Sequence, residues 1–352
     1  MGYQVLDNGG HNGGHNGGHN GGHNGGHNGG HGSTAGGSDI SLAAAISQTR
    51  DALTDPGDTS FYTKPVNPIC VNDRFQTQTI MARLARWSPW VQVQIGTQEL
   101  LSLIQITTNG DTVSLTFDEA KKFLNSPAKV SLSAPTDTDF KNELPVVIAA
   151  GDLRDERLNE ILLQVHQQWP FWSAVLPKPL AEASSTQVLL DVAYDLSTYI
   201  SMRFKHNFGS YRPSQRSAQI HPVIEVPLHG TYPMGHAVQA YSTARILHWM
   251  ISGKAPKTLQ ENDPDPSDTG LIKALYRLAD RIGQNRIVAG LHFPVDLKAG
   301  RWLGINLGDI VMAKATSVNE SNQCPVLPAV YEAAKTEWLF LNAPNPVVAN
   351  DK

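Results

Sequence analysis

Three short stretches of this chain carry residue types whose spacing could do chemistry. In KHNFGSYRPSQ, Lys205 is followed after six residues by Arg212 and Pro213, with little acid nearby. One ammonium and one planar guanidinium fork suit a tetrahedral oxyanion. In YPMGHA, Pro233 and Gly235 shape a turn and His236 opens an alanine-rich helical stretch. Helix N-termini present unpaired N–H groups and partial positive charge, and a histidine placed there exchanges protons near neutral pH. In NRIVAGLHFPVD, Arg286 precedes His292 by six positions and Asp296 follows His292 by four. A carboxylate beside an imidazole accepts its Nδ1 proton and leaves the other nitrogen free to attack an electrophile or to bind a metal centre. Each stretch alone reads equally well as solvated charges or packed side chains. Together they describe a site for a tetrahedral dianion.

In this order and at these spacings the three stretches resemble the signature of the type 2 phosphatidic acid phosphatase and vanadium-dependent haloperoxidase superfamily. The phrases RPSQ, HGTYPMGHA and AGLHFPVDLKAG are most similar to its soluble bacterial branch. The resemblance implies a mainly α fold, a helical bundle whose loops hold phosphate or vanadate. It implies that Lys205, Arg212 and Arg286 neutralise the oxyanion and that the Gly235 N–H donates to it. His292, oriented by Asp296, would be the nucleophile, and His236 the acid and then the base. Two positions depart from the family pattern: Met234 stands where the family has serine, removing a hydroxyl donor, and Asn285 replaces the serine before Arg286.

Such a site serves two chemistries, because vanadate mimics phosphate in charge and shape. As a phosphatase it takes a small phosphate ester and needs no cofactor. As a haloperoxidase it carries vanadate on His292 and uses halide and peroxide. Family haloperoxidases usually have tryptophan three residues before the motif lysine, where this chain has Met202, which favours phosphomonoester hydrolysis. His229, five residues before Met234, lies where the family's bromoperoxidases carry histidine, as do other bacterial relatives. Met202, His229 and Met234 are therefore expected at the pocket. A catalytically inactive phosphate-binding module is the third alternative.

The elements that must position these residues are helical. LRDERLNEILLQVHQQW spaces Leu158, Ile161, Leu162 and Val165 as a buried helix face. STQVLLDVAYDLSTYISMRFKH runs directly into the first stretch, and an end near Phe204 puts Arg212 on the following loop, facing the same spot as Lys205; GHAVQAYSTARILHWMISG and GLIKALYRLADRIGQNRIVAG are further helices. KAPKTLQENDPDPSDTG between the last two reads as an acidic, proline-broken loop. Upstream the pattern is mixed: VQVQIG alternates like a strand, TNGDTVSLTF carries the Asn-Gly of a tight turn before another strand, and TFDEAKKFLN reads as a capped helix. This organises the chain as a tag and linker over 1–39, a mixed region of unknown role over 40–150, the helical catalytic region over 151–315 and a C-terminal extension over 316–352.

Histidines recur every fourth residue from His11 to His31 in an Asn-Gly-Gly context, six of the thirteen in the chain, and read as a purification tag. The 352 residues are 40% hydrophobic, enough for a sizeable core, and a formal charge of −4 gives no global pull toward nucleic acid or anionic membrane. No apolar run is long enough to cross a bilayer, so a soluble cytoplasmic or periplasmic protein is expected. Cys70 and Cys324, far apart, read as unpaired thiols, and no ligand set for zinc or magnesium stands outside the tag. Oligomeric state is left open.

Overall fold

The computed structural model describes residues 84, 86–117, 129–256, 270–317 and 326–339. The histidine string, both cysteines, most of TFDEAKKFLN and most of the acidic loop lie outside them. The chain divides into one compact unit of Met1–Thr79 with Val165–Gln167 and a second of Ile80–Gln164 with Gln168–Lys352. The second holds all the elements below except the last residues of α3.

In chain order these are α1 (Pro89–Leu101), β1 (Ile104–Asn109), β2 (Thr112–Phe117), β3 (Lys129–Ser133), α2 (Asp137–Ala150), α3 (Arg154–His166), α4 (Trp169–Val175), α5 (Ser184–Phe208), the single turn α6 (Pro213–Arg216), α7 (Gly235–Ser252), α8 (Gly270–Val288), α9 (Pro294–Ala315) and α10 (Val326–Thr336). The fold is mainly α, as expected. The small sheet is antiparallel in the order β1-β2-β3. Asn109 pairs with Thr112, and Gly110 takes positive φ in the two-residue turn between them. That is the backbone conformation only glycine adopts without strain.

VQVQIG is not a strand. Val91–Gly96 lie inside α1, which Pro89 opens, and the buried residues Gln92, Val93, Gly96, Thr97 and Leu100 follow the helical rather than the alternating period. Gly96 lets this helix approach Val192 of α5 and Leu327 of α10. Packing thus overrides the strand-like local pattern. The expectation for α3 also needs correcting: Leu158, Leu162 and Val165 are exposed, and the buried residues are Ile161 and Gln164. The inward face of α3 is partly polar because it lies over buried polar groups of α8. Residues 89–150 share the main core with the later helices: Val93, Leu115, Phe117 and Phe140 belong to the same cluster as Leu196, Ile246 and Leu303. Burying each such side chain contributes about 1.5–3 kcal/mol.

The central pair is α7 and α9. A Cβ on Gly300 would lie 2.6 Å from the Met234 carbonyl oxygen and one on Gly308 2.7 Å from Arg245 Cβ, with Gly304 equally close to the Val238 backbone. Three glycines one turn apart therefore let the two helix backbones touch. Carboxylates cap four helix starts. Asp139 accepts from the Thr136 N–H before α2 (2.7 Å), Glu337 from Ser185 and Thr186 at α5 (2.8 and 2.9 Å), Glu143 from Val295 at α9 (2.9 Å) and Glu99 from Val326 at α10 (3.3 Å). Helix α7 has no side-chain cap and no acid in its first turn.

Candidate active site

The residues singled out from the sequence meet where α5, α7, α8 and α9 begin or end. Helix α5 continues past Phe204 to Phe208, so Lys205 lies in its last turn and Arg212 follows beyond its end. It is buried, and its Nζ donates to the carbonyls of Gly230 (2.9 Å) and Thr231 (2.7 Å). Arg212 caps the single turn α6 and is also buried. Its Nη1 donates to the Leu291 carbonyl (3.0 Å) and to His292 Nε2 (2.8 Å), and its Nη2 to His229 Nδ1 (3.1 Å). The chain enters α7 through a cis Tyr232–Pro233 bond, with the Met234 N–H held by the Asp296 carbonyl at 3.0 Å.

His292 and Asp296 flank the start of α9. The Asp296 Oδ2 lies 3.0 Å from His292 Nδ1 and accepts from the Phe293 N–H (2.8 Å) and from Thr231 Oγ1 (2.5 Å). A guanidinium only donates, so Arg212 requires the Nε2 lone pair, and the proton of neutral His292 therefore sits on Nδ1 facing Asp296. Thr231, which from the sequence could at most stand in for the missing serine donor, instead supports the histidine and its carboxylate. Its hydroxyl touches both His292 Nδ1 (3.1 Å) and Asp296, and its carbonyl holds Lys205. A threonine two residues before the proline of YPMGHA was the available signal.

Arg286, in the last turn of α8, is fully buried. Its Nη2 donates to the Ile161 carbonyl (2.9 Å) and Gln164 Oε1 (3.3 Å), while Nε and Nη1 have no hydrogen-bond partner among the described residues. Asn285 donates to the same Gln164 oxygen at 3.0 Å and accepts from Arg157 at 3.4 Å. A buried charged donor left unsatisfied costs about 1–3 kcal/mol or more, which an arriving oxyanion would relieve.

Three cations dominate the electrostatics, with Asp296 acting on Lys205 and Arg212 and Glu160 on Arg286. Burial, reinforced by Arg212, holds Lys205 well below its ordinary pKa, and Asp296 opposes this. Burial lowers Arg212 and Arg286 to about 10 each. His292 is pushed well below 6.5 by burial, then by Arg212 and Lys205; His236, half-buried and hydrogen-bonded to the Gln164 backbone, is lowered by burial and by Arg286. His229 falls to about 4, mainly through burial. Burial raises Asp296 to about 6 against the pull of the Phe293 N–H, Thr231, Lys205 and Arg212.

Gly235 stands at the mouth of α7 with Ser201 and Lys205 its nearest neighbours, at 3.7 and 3.9 Å from where a Cβ would be. Met234 is fully buried as the N-cap residue, in the main core. Met202 is exposed at the surface of α5, one residue beyond the buried Ser201 that faces Gly235.

Residues 188–317 match the family model of the PAP2 superfamily. Lys205, Arg212, His229, His236, Arg286, His292 and Asp296 all lie within the matched residues. Among solved structures, the chain is similar to the first transmembrane PAP2 type phosphatidylglycerolphosphate phosphatase from Bacillus subtilis, at 12% identity over 69% of this chain and 94% of that one, with a TM-score of 0.30. Among the described residues no helix is long and apolar enough to cross a membrane. No curated protein matches the sequence.

Proposed function

We propose that this protein hydrolyses phosphate monoesters by passing the phosphoryl group through His292. One observation carries the reading: the His292 Nε2 lone pair points at the Arg212 guanidinium, 2.8 Å away, while Nδ1 faces Asp296 at 3.0 Å. A nucleophile with its lone pair among buried cations and its other nitrogen on a carboxylate is arranged to attack an anionic phosphorus centre. The PAP2 match over 188–317 supports the same class of chemistry, and the phrases RPSQ, HGTYPMGHA and AGLHFPVDLKAG support a place in the soluble bacterial branch.

In the first step the ester dianion docks on Lys205, Arg212, Arg286 and the Gly235 N–H. Arg212 transfers its hydrogen bond from Nε2 to a phosphoryl oxygen, freeing the lone pair. The Nε2–P bond forms, the ester P–O bond breaks, and the leaving oxygen takes a proton from His236 in its imidazolium form. Asp296 stabilises the positive charge that develops on His292. In the second step a water gives its proton to His236 and attacks phosphorus, the N–P bond breaks with its electron pair returning to His292, and phosphate leaves.

The unpartnered Arg286 donors and the His292 lone pair also fit vanadate. His292 would be its ligand, Lys205, Arg212 and Arg286 would hold its oxygens, and it would supply peroxide activation toward halide.

Hydrolysis of an aryl phosphate tests the proposal. Turnover should persist in EDTA, be inhibited competitively by orthovanadate, and yield on rapid quenching an acid-labile phosphoprotein modified at His292. Binding of phosphate without any turnover would make the protein a phosphate-binding module. Bromide oxidation after vanadate loading, with no ester hydrolysis, would make it a haloperoxidase.

A further inference from the structure

Behind His236 the wall of the site is built of amides. Gln239 lies three residues after His236, on the same face of α7, and its Nε2 donates to Thr198 Oγ1 of α5 at 2.9 Å. Its Oε1 accepts from Gln168 Nε2 at 3.4 Å. Gln164, which accepts from Arg286 and Asn285, stands four residues before Gln168. Both are almost completely buried, 1% and 3% exposed, yet Gln164 Nε2 and Gln168 Oε1 have no hydrogen-bond partner among the described residues. Buried amides that lack partners are rare in folded proteins, because burial removes the water that would otherwise satisfy them. Gln164 stands beside the leaving-group acid, its backbone hydrogen-bonded to His236 and its side chain to the unsatisfied Arg286, and Gln168 follows four residues on. A hydroxyl is the group that both accepts and donates, so hydroxyls of the substrate satisfy both amides. An acyl chain or an aryl ring would leave them stranded.

Resting on the phosphatase reading above, we propose that the amides of Gln164, Gln168 and Gln239 form a leaving-group subsite for a polyhydroxylated alcohol. The preferred substrates are then phosphate monoesters of polyols or sugars. A site built to hydrogen-bond a hydroxyl discriminates strongly against analogues that lack it, because the loss leaves its buried amides unpaired.

The test compares glycerol phosphate and a hexose phosphate with p-nitrophenyl phosphate and an alkyl phosphate, in the wild type and in Gln168→Leu. The wild type should favour the hydroxylated esters by tenfold or more in kcat/KM after correction for leaving-group reactivity, and Gln168→Leu should reduce that ratio at least fivefold. A wild-type preference for the alkyl ester, or a ratio that Gln168→Leu does not move, overturns the subsite. Calorimetric binding keeps the two readings apart. If no ester is turned over but glycerol phosphate binds at least tenfold tighter than inorganic phosphate, the subsite stands and the phosphatase reading falls. Equal affinities for glycerol phosphate and inorganic phosphate overturn the subsite whether or not the protein is an enzyme.

Discussion

Helices α7 and α9 bury arginines in two neighbourhoods, and they treat the charge in opposite ways. Deep in the pair, Arg245 Nε binds Asp309 Oδ1 at 2.6 Å and Nη2 binds Oδ2 at 3.1 Å. Burial works against this guanidinium, but the charge and hydrogen bonds of Asp309 outweigh it and the pKa is raised. At the end formed by the start of both helices, Lys205, Arg212 and Arg286 share the pocket with Asp296, and all three are lowered. Burial is common to both neighbourhoods, so the difference lies in charge balance. The Arg245 charge is balanced by Asp309, whereas the other cluster has more cations than acids, a surplus that an added anion would neutralise. A fold that can match a buried arginine bidentately, and does so between α7 and α9, holds its unmatched cations where the proposed phosphate site lies.

The contrast breaks first if activity and stability do not separate between the two regions. His292→Ala should lower aryl phosphate turnover by about a thousandfold or more while changing unfolding free energy by less than about 2 kcal/mol. Retention of a tenth of wild-type kcat would remove His292 from the mechanism. Asp309→Ala should do the reverse and cost about 3–5 kcal/mol in denaturant unfolding, because it strands Arg245.

Arg286→Gln sharpens the same point. Removing an unsatisfied buried cation should leave the ligand-free protein as stable as the wild type or more so, while abolishing stabilisation by phosphate. That stabilisation should reach about 2.7 kcal/mol in the wild type at a hundredfold excess over Kd. A large loss of stability in Arg286→Gln, measured without phosphate, would mean that its charge is already balanced.

Protonation gives a smaller signal. The field of Arg286, Lys205 and Arg212 adds to burial in holding His236 below 6.5, so a bound dianion should cancel part of that field and raise its pKa. Phosphate binding near pH 6 should therefore take up protons, and kcat/KM should fall as pH rises, since His236 must enter the reaction protonated. Calorimetry in buffers of different ionisation enthalpy measures the uptake; proton release would count against His236 as the acid. Stability has its own sign. The folded pKa values of His229, His236 and His292 are depressed, so the unfolded chain gains protons first and stability falls as pH drops below about 6.5. Asp296, raised to about 6, works the other way between about 6 and 4, because its folded form takes up the proton first.

The smallest effect concerns Met234. A serine there would give up a buried side chain, worth about 2–3 kcal/mol, and gain an N-cap worth about 1. Met234→Ser should therefore be slightly less stable, and kcat/KM should rise by up to about tenfold if the hydroxyl reaches the phosphoryl oxygens. Unchanged kcat/KM with the fold intact would mean that no donor is missing at this position.

Much of the site was legible because its chemistry is concentrated in charged residues at fixed spacing. Lys205, Arg212, His236, Arg286, His292 and Asp296 lie on the elements that the sequence implied, and α5, α7 and α8 follow their apolar periodicity. The supporting layer was hidden. Gln164 sits at a helical interval of three from Ile161, where a core residue is expected, and a neutral amide gives no charge signal in sequence. Thr231 acts through partners 60 and more residues away, Leu291, His292 and Asp296. Helix α1 was misread because its alternating valines carry a strand pattern, while the side chains that decide the matter belong to α5 and α10.

The uncapped start of α7 has a consequence for motion. Helices α2, α5, α9 and α10 are closed by carboxylates of the protein itself, whereas the first turn of α7, like those of α1 and α4, has no side-chain cap, and of these three it is the one that carries Gly235 and His236. On the proposed reaction, a bound phosphate would behave as a removable piece of secondary structure, a helix cap that arrives with each substrate and departs with each product. The amides of Gly235, His236 and Ala237 should accordingly exchange with solvent more slowly when phosphate is present, making the end of this helix an internal reporter of occupancy.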